Sequence, residues 1–204
     1  MKKSSGQSKI SMLDKKYLGE IRKKLLGYAK KRREVIKIAG DAQQLAKKAI
    51  FAFQRDDKKT GGELLQSAEK SLKSLLKAYK DEPDLFREGS YRAALEEFTE
   101  ASLFAQYLTG RVIGKIDGLA IDPNTLVGGL CDVPGELYRY AIKCATARNF
   151  PEVKKCYAAA EVIIAELVDM DLTGYNRQKF DQAKQALLKL EQVQYEVSLA
   201  ARQK

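Results

Sequence analysis

The 204-residue sequence has no histidine, only three cysteines and only four prolines. The missing histidine excludes the most. No Ser-His-Asp or Cys-His arrangement can be built. The usual histidine-containing zinc and di-iron sites are out of reach, and so is RNA cleavage by a histidine pair. Any acid–base chemistry falls to carboxylates, Lys, Tyr, Cys or a metal-bound water. Cys131, Cys144 and Cys156 are spaced by 13 and 12 residues, which makes neither a CxxC nor a zinc knuckle. An odd count fits reduced thiols used as small apolar residues, as in a cytoplasmic protein. No apolar run reaches the about 18 residues that a membrane span needs. Residues 1–10 are basic with no apolar stretch behind them, and read as a flexible tail rather than a secretory signal.

Acidic charge is scarce at one end. Residues 1–59 hold 18 Lys+Arg against 6 Asp+Glu, a net +12, whereas residues 60–204 hold 19 against 21. The whole excess of the +10 chain therefore sits in its first quarter. Such asymmetry points to a polyanionic partner, nucleic acid ahead of an anionic membrane surface. The membrane reading is weaker because the face opposite the cations is not a strong apolar wedge. A lysine-rich solvated helix surface is the plain alternative. The densest stretch is Arg22-Lys23-Lys24 followed by Lys30-Lys31-Arg32-Arg33, clusters that fall on a broadly shared side of a helix.

Proline scarcity leaves long stretches of strong helix formers. Leu13, Tyr17, Ile21, Leu25, Tyr28, Val35, Ile38, Leu45, Ala49 and Phe53 recur at helical spacing. They predict one helix over residues 11–53, about 60 Å long. Residues 56–62 read as a loop and residues 63–79 as a second helix, which the segment around Pro83 breaks. A third helix is expected over 84–110, a fourth from Asp122-Pro123 to 148, a fifth over 151–167 and a last over 177–201. No segment alternates with period two and no 20–50-residue repeat is evident. The expectation is an all-α, bundle-like single domain over residues 11–204, with about six or seven helices. The segment Gly110-Arg111-Val112-Ile113-Gly114-Lys115-Ile116 imitates a phosphate loop. Its glycines are too close, Ser/Thr is missing after Lys115, and it follows a helix.

With histidine absent, carboxylates carry the chemistry. Glu97 and Glu100, at i, i+3, share a helix face bordered by Ala93, Ala94, Ala101 and Phe104. Glu96 points toward Arg92 and Thr99, away from that face. Asp132 and Glu136, at i, i+4, share another face with Tyr140. Gly128, Gly129 and Gly135 lie in the same helical stretch, each at a cost of about 1 kcal/mol, and close helix–helix approach is the obvious reason. Two like charges beside an apolar stripe call for a cation. Four oxygen ligands from two helices suit Mg²⁺ or Mn²⁺. Ion pairs with Arg92 or Arg139 are the rival arrangement.

These residues resemble a known family. Leu95–Glu100 (LEEFTE), Gly129–Tyr140 (GLCDVPGELYRY) and Leu187–Ser198 (LLKLEQVQYEVS) are similar to segments of the translin superfamily. Within it they look like translin-associated factor X, or Trax, over residues 32–202. The resemblance implies all-helical subunits that assemble into a hollow, barrel-like octamer. It implies a Mg²⁺-dependent endoribonuclease acting on single-stranded RNA, as in the C3PO complex. By position, the catalytic and metal-holding acids of Trax fall on Glu97, Glu100, Asp132 and Glu136. Translin, the non-catalytic partner, lacks most of them. RNA contacts are expected at Arg32, Arg33, Arg87 and Arg92, together with Arg22 and Lys23 of the basic helix. The chain departs from translin at Phe86–Tyr91 (FREGSY), where translin carries histidines, and lacks the long insertion of animal Trax. It thus resembles a compact prokaryotic version, a homo-oligomer or the partner of a translin-like chain. The alternatives are a non-catalytic single-stranded nucleic-acid scaffold, with DNA as a further ligand, and a helical protein–protein adaptor.

Overall fold

The computed structural model describes residues 13–202. They form six α-helices and one 3₁₀ turn, with no strand among the described residues. The all-α expectation holds. The basic tail expected at residues 1–10 lies outside the described residues.

Helix α1 spans Lys15–Gln54. Asp14 caps it by accepting the backbone N–H groups of Lys16 and Tyr17 at 3.1 and 3.0 Å. That carboxylate sits where the helix dipole is positive and the first turn, with Lys15 and Lys16, holds no acid. Buried positions begin at Val35 and continue through Ala39, Ala42, Ala46, Ala49 and Phe53. The preceding turns extend beyond the bundle with Tyr17, Leu18, Leu25 and Leu26 exposed. Helix α2, Lys58–Ala78, packs along α1. The expected loop over 56–62 shrinks to residues 55–57, and Thr60, Gly61 and Gly62 are helical. Asp57 caps α2 through the Thr60 N–H, so helix begins five residues before the glycine signal suggests. Gly61 is there for clearance: a Cβ would lie 2.3 Å from the Phe53 ring.

The 3₁₀ turn at Pro83–Arg87 separates α2 from α3, Gly89–Leu108. The single helix expected from 84 to 110 is therefore broken at Glu88. Helix α3 is the central element, packing on α1, α2 and helix α4, Pro123–Thr146. The connection over 109–122 is tied down by Gln106, which donates to the Lys115 carbonyl and accepts from the Gly114 N–H, both at 2.9 Å. That connection is where the phosphate-loop imitation lies. Asp122 caps α4 with Pro123 in its first turn, as the sequence suggests, and the helix runs on through Pro134. Helices α5, Phe150–Val168, and α6, Gly174–Arg202, pack on α4 and on each other. Two sequential groups, α1–α3 and α4–α6, thus meet mainly at the α3–α4 seam. All three cysteines are buried and unpaired. No described helix is long and apolar enough to cross a membrane.

Candidate metal and nucleic-acid site

The α3–α4 seam is close because α4 is bare where α3 crosses it. A Cβ on Gly129 would lie 2.7 Å from Thr99 Cγ2 and 3.0 Å from the Glu100 backbone nitrogen. One on Gly128 would lie 2.5 Å from Glu96 Oε2. Gly135 faces open space and has no such reason. The close approach brings the two predicted acid pairs to one place. Glu97, Glu100 and Asp132 line a cavity of about 520 Å³ together with Glu96, Arg92 and Lys179. Glu97 and Glu100 also line a smaller groove with Glu136, Arg139, Lys47 and Phe51. They form the wall between the two spaces.

Three of the four acids have a cation. Glu97 faces Lys47 at 3.6 Å, and Arg139 Nη1 donates to Glu136 at 3.0 Å. Asp132 is paired with Lys179. The rival arrangement is thus realised at Arg139 and not at Arg92. Glu100 stands apart: it is 9% exposed and makes no ion pair or side-chain hydrogen bond among the described residues. Burial, followed by the charges of Asp132, Glu97 and Glu136, pushes its carboxyl up to about 9. Burial also raises Glu97, against Lys47 and a hydrogen bond with Gln43, and raises Asp132 against Lys179. Deprotonating the cluster therefore calls for added positive charge.

Lys179 and Gln54 were not singled out by the sequence, and Glu96 was expected to lie away from the site. Lys179, on α6, has its side chain 11% exposed and donates to both Asp132 and Glu96. Burial works against its charge, but those hydrogen bonds outweigh burial and hold the ammonium above the usual lysine range. Glu96 also accepts from the Tyr175 hydroxyl at 2.8 Å. The expectation that Glu96 lies away from the site is corrected. Glu96 and Glu100 are one helical turn apart, and Tyr175 and Lys179 of α6 reach Glu96 across the seam, which the sequence could not reveal. Gln54 Nε2 donates to the backbone oxygen and Oε2 of Glu136, both at 2.8 Å. A glutamine at the end of a long helix carries no signal in sequence.

The donor set is all oxygen and recessed, with Glu100 lacking an ion pair, which fits a hard divalent ion. Buried Asn176, which lines the same cavity, has an Oδ1 that receives no hydrogen bond. In the present side-chain positions no three acidic or sulfur groups converge as metal ligands among the described residues. Lys179 already pairs with Asp132, so an ion there would compete with the ammonium.

The expected RNA contacts divide by location. Arg92 lines the acid-walled cavity and, with Arg87, a neighbouring one. Arg32 donates to Glu88 at 2.5 Å, and Arg87 pairs with Asp84 at 3.1 Å. Arg33 is exposed further along α1. Arg22 and Lys23 are exposed on the projecting turns of α1, away from the acids.

The architecture matches solved structures of C3PO proteins. Apo-NeC3PO aligns at a TM-score of 0.81 with 21% identity, covering 92% of this chain and 99% of that one. AfC3PO aligns at 0.83 with 23% identity, covering 90% and 98%. An AfC3PO–duplex RNA complex aligns at 0.84 with 22% identity, covering 92% and 100%. At these identities the likeness establishes the fold. No curated protein matches in sequence. The profile of the Translin family matches residues 30–201, and the chain belongs to the Translin family.

Proposed function

We propose that this chain is a Trax-like endoribonuclease subunit that binds single-stranded RNA and hydrolyses it with Mg²⁺ or Mn²⁺. The observation that carries this is Glu100, a buried carboxyl without a cation in a cluster of four acids at a solvent-reachable seam. Glu97, Glu100, Asp132 and Glu136 would hold the ion. When bound, it supplies an activated water and neutralises charge on the phosphate. The chain's own part is to keep the acids recessed on two rigid helices. Arg139 and Lys47 border the groove beside them and can meet phosphate oxygens. A recessed site between two helices favours a single strand over a duplex. The neighbouring AfC3PO–duplex RNA complex supports RNA as the ligand class.

The test is Glu100→Ala. Purified wild-type protein is expected to cut single-stranded RNA with Mg²⁺ and not with EDTA. The variant loses cutting while binding the same RNA in EDTA and keeping its mass in solution. Calorimetric titration with Mg²⁺ reads the ion directly, and Glu100→Ala weakens it. Undiminished cleavage by Glu100→Ala would overturn the assignment.

A second reading is a non-catalytic translin-like scaffold. Lys179, Lys47 and Arg139 favour it, since they already neutralise three of the four acids. RNA binding with no cleavage in Mg²⁺ or Mn²⁺ would establish it. The exposed Leu188, Tyr195 and Leu199 of α6 support assembly, as a homo-oligomer or with a translin-like chain. Light scattering gives the mass.

A further inference from the structure

Phe51 is an aromatic ring out of place. It lies on the packed half of α1, between buried Ile50 and Ala52, yet it is 54% exposed. It borders two spaces. One is the groove of Glu97, Glu100, Glu136 and Arg139. The other is a groove of about 430 Å³ on the α1–α2 side, where Thr60 and Leu64 of α2 face it. Lys47, Lys48 and Arg55 flank the ring at one helical turn before and after. The Arg55 guanidinium lies over the ring, 5.0 Å from its centroid. Lys48 and Arg55 make no ion pair among the described residues, the Arg55 charge acts on nearby Asp57, and Lys47 has only Glu97 at 3.6 Å.

We infer that Phe51 and Arg55 form a stacking platform for one base of a single-stranded RNA, with Lys47 and Lys48 on the adjoining phosphates. The inference rests on the proposed RNA-binding reading and adds to it a place where the strand is held. The guanidinium lies over the ring at 5.0 Å, and a base would add to the pair as a further planar layer. Such stacking is tolerant of sequence because every base has a π-face. An apolar protein surface fits this place poorly, since covering the ring would also strip water from the three cations around it. A nucleotide strand answers both features, with a flat ring for Phe51 and negative oxygens for the lysines. The shared residues Lys47 and Phe51 join the platform to the acid-lined groove. A strand held there passes directly to the acids.

The experiment uses a single-stranded RNA carrying 2-aminopurine, with the intact protein in EDTA so that nothing is cut. The fluorescence of wild-type complexes is expected to fall on binding as the probe stacks. Phe51→Ala loses that quenching and binds about tenfold more weakly, as for loss of one base stack. Phe51→Tyr restores both. Phe51→Leu keeps the bulk without the π-face and behaves like Phe51→Ala, so a folding defect in the alanine variant leaves the question answerable. Equal quenching and affinity in Phe51→Leu and wild type would overturn the platform. A changed molecular mass for the Phe51 variants would also overturn it, by making the ring a subunit contact. Phe51-dependent quenching in a protein that never cleaves RNA would sustain the platform and remove the nuclease.

Discussion

Glu100 and Lys179 set the electrostatics of the seam in opposite ways. Lys179 pairs with Asp132 and Glu96 from a third helix, and at Glu100 its weaker attraction is outweighed by burial and repulsion. The pH dependence follows from its sign. In the metal-free protein the folded Glu100 carboxyl is pushed up to about 9, well above the ordinary 4.5 of the unfolded chain. Below the lower value both states are protonated and the group costs nothing. As pH rises through that window the unfolded chain releases its proton and the folded one cannot, so stability is lost. Thermal unfolding in EDTA should therefore fall more steeply with pH for wild type than for Glu100→Gln. Parallel slopes would contradict the assignment of the strain to this residue.

At the scale of elements, the α3–α4 crossing decides whether the acids meet. Gly129→Ala is expected to push the helices apart and to destabilise by about 1–3 kcal/mol, because its Cβ meets backbone as well as Thr99. Gly135→Ala meets nothing and is expected to be neutral or stabilising by up to about 1 kcal/mol. Urea denaturation of the two variants checks both, and equal stability would sink the packing argument. The spacing of Leu13 through Phe53 was enough to read α1, and Asp122-Pro123 was enough to start α4. The turn at Asp56 was not legible as a three-residue connection. A Gly-Gly pair usually marks a loop, but here the Asp57 cap and the Phe53 ring placed Gly61 inside a helix. Asp56 itself takes a positive φ of 62° and accepts from Tyr140 and Lys143 of α4. That tertiary compensation is invisible locally.

For the whole molecule, the basic excess lies on α1, whose first turns project from the bundle, and the acids lie in the central seam. Arg22 and Lys23 should act on phosphates only. Replacing both with Gln is expected to weaken RNA binding across sequences alike. It should flatten the dependence of log K on log salt by about 0.7 for each phosphate that is no longer neutralised. An unchanged slope would place the strand elsewhere. Cleavage per bound strand should remain as in wild type, since neither residue lines the acid cavity.

The sequence by itself determined that histidine chemistry is absent, that the chain is helical, and that the cations are concentrated in its first quarter. It also paired Glu97 with Glu100 and Asp132 with Glu136, because helical periodicity is a local property. Only the tertiary structure decided that both pairs share one seam. It also decided that Glu96 and Lys179 belong there, and that Phe51 is exposed beside Glu97, Glu100 and Glu136. Those facts depend on which helices cross and how closely. That is set by glycine clearance and by a third helix far along the chain, not by any spacing within a single segment.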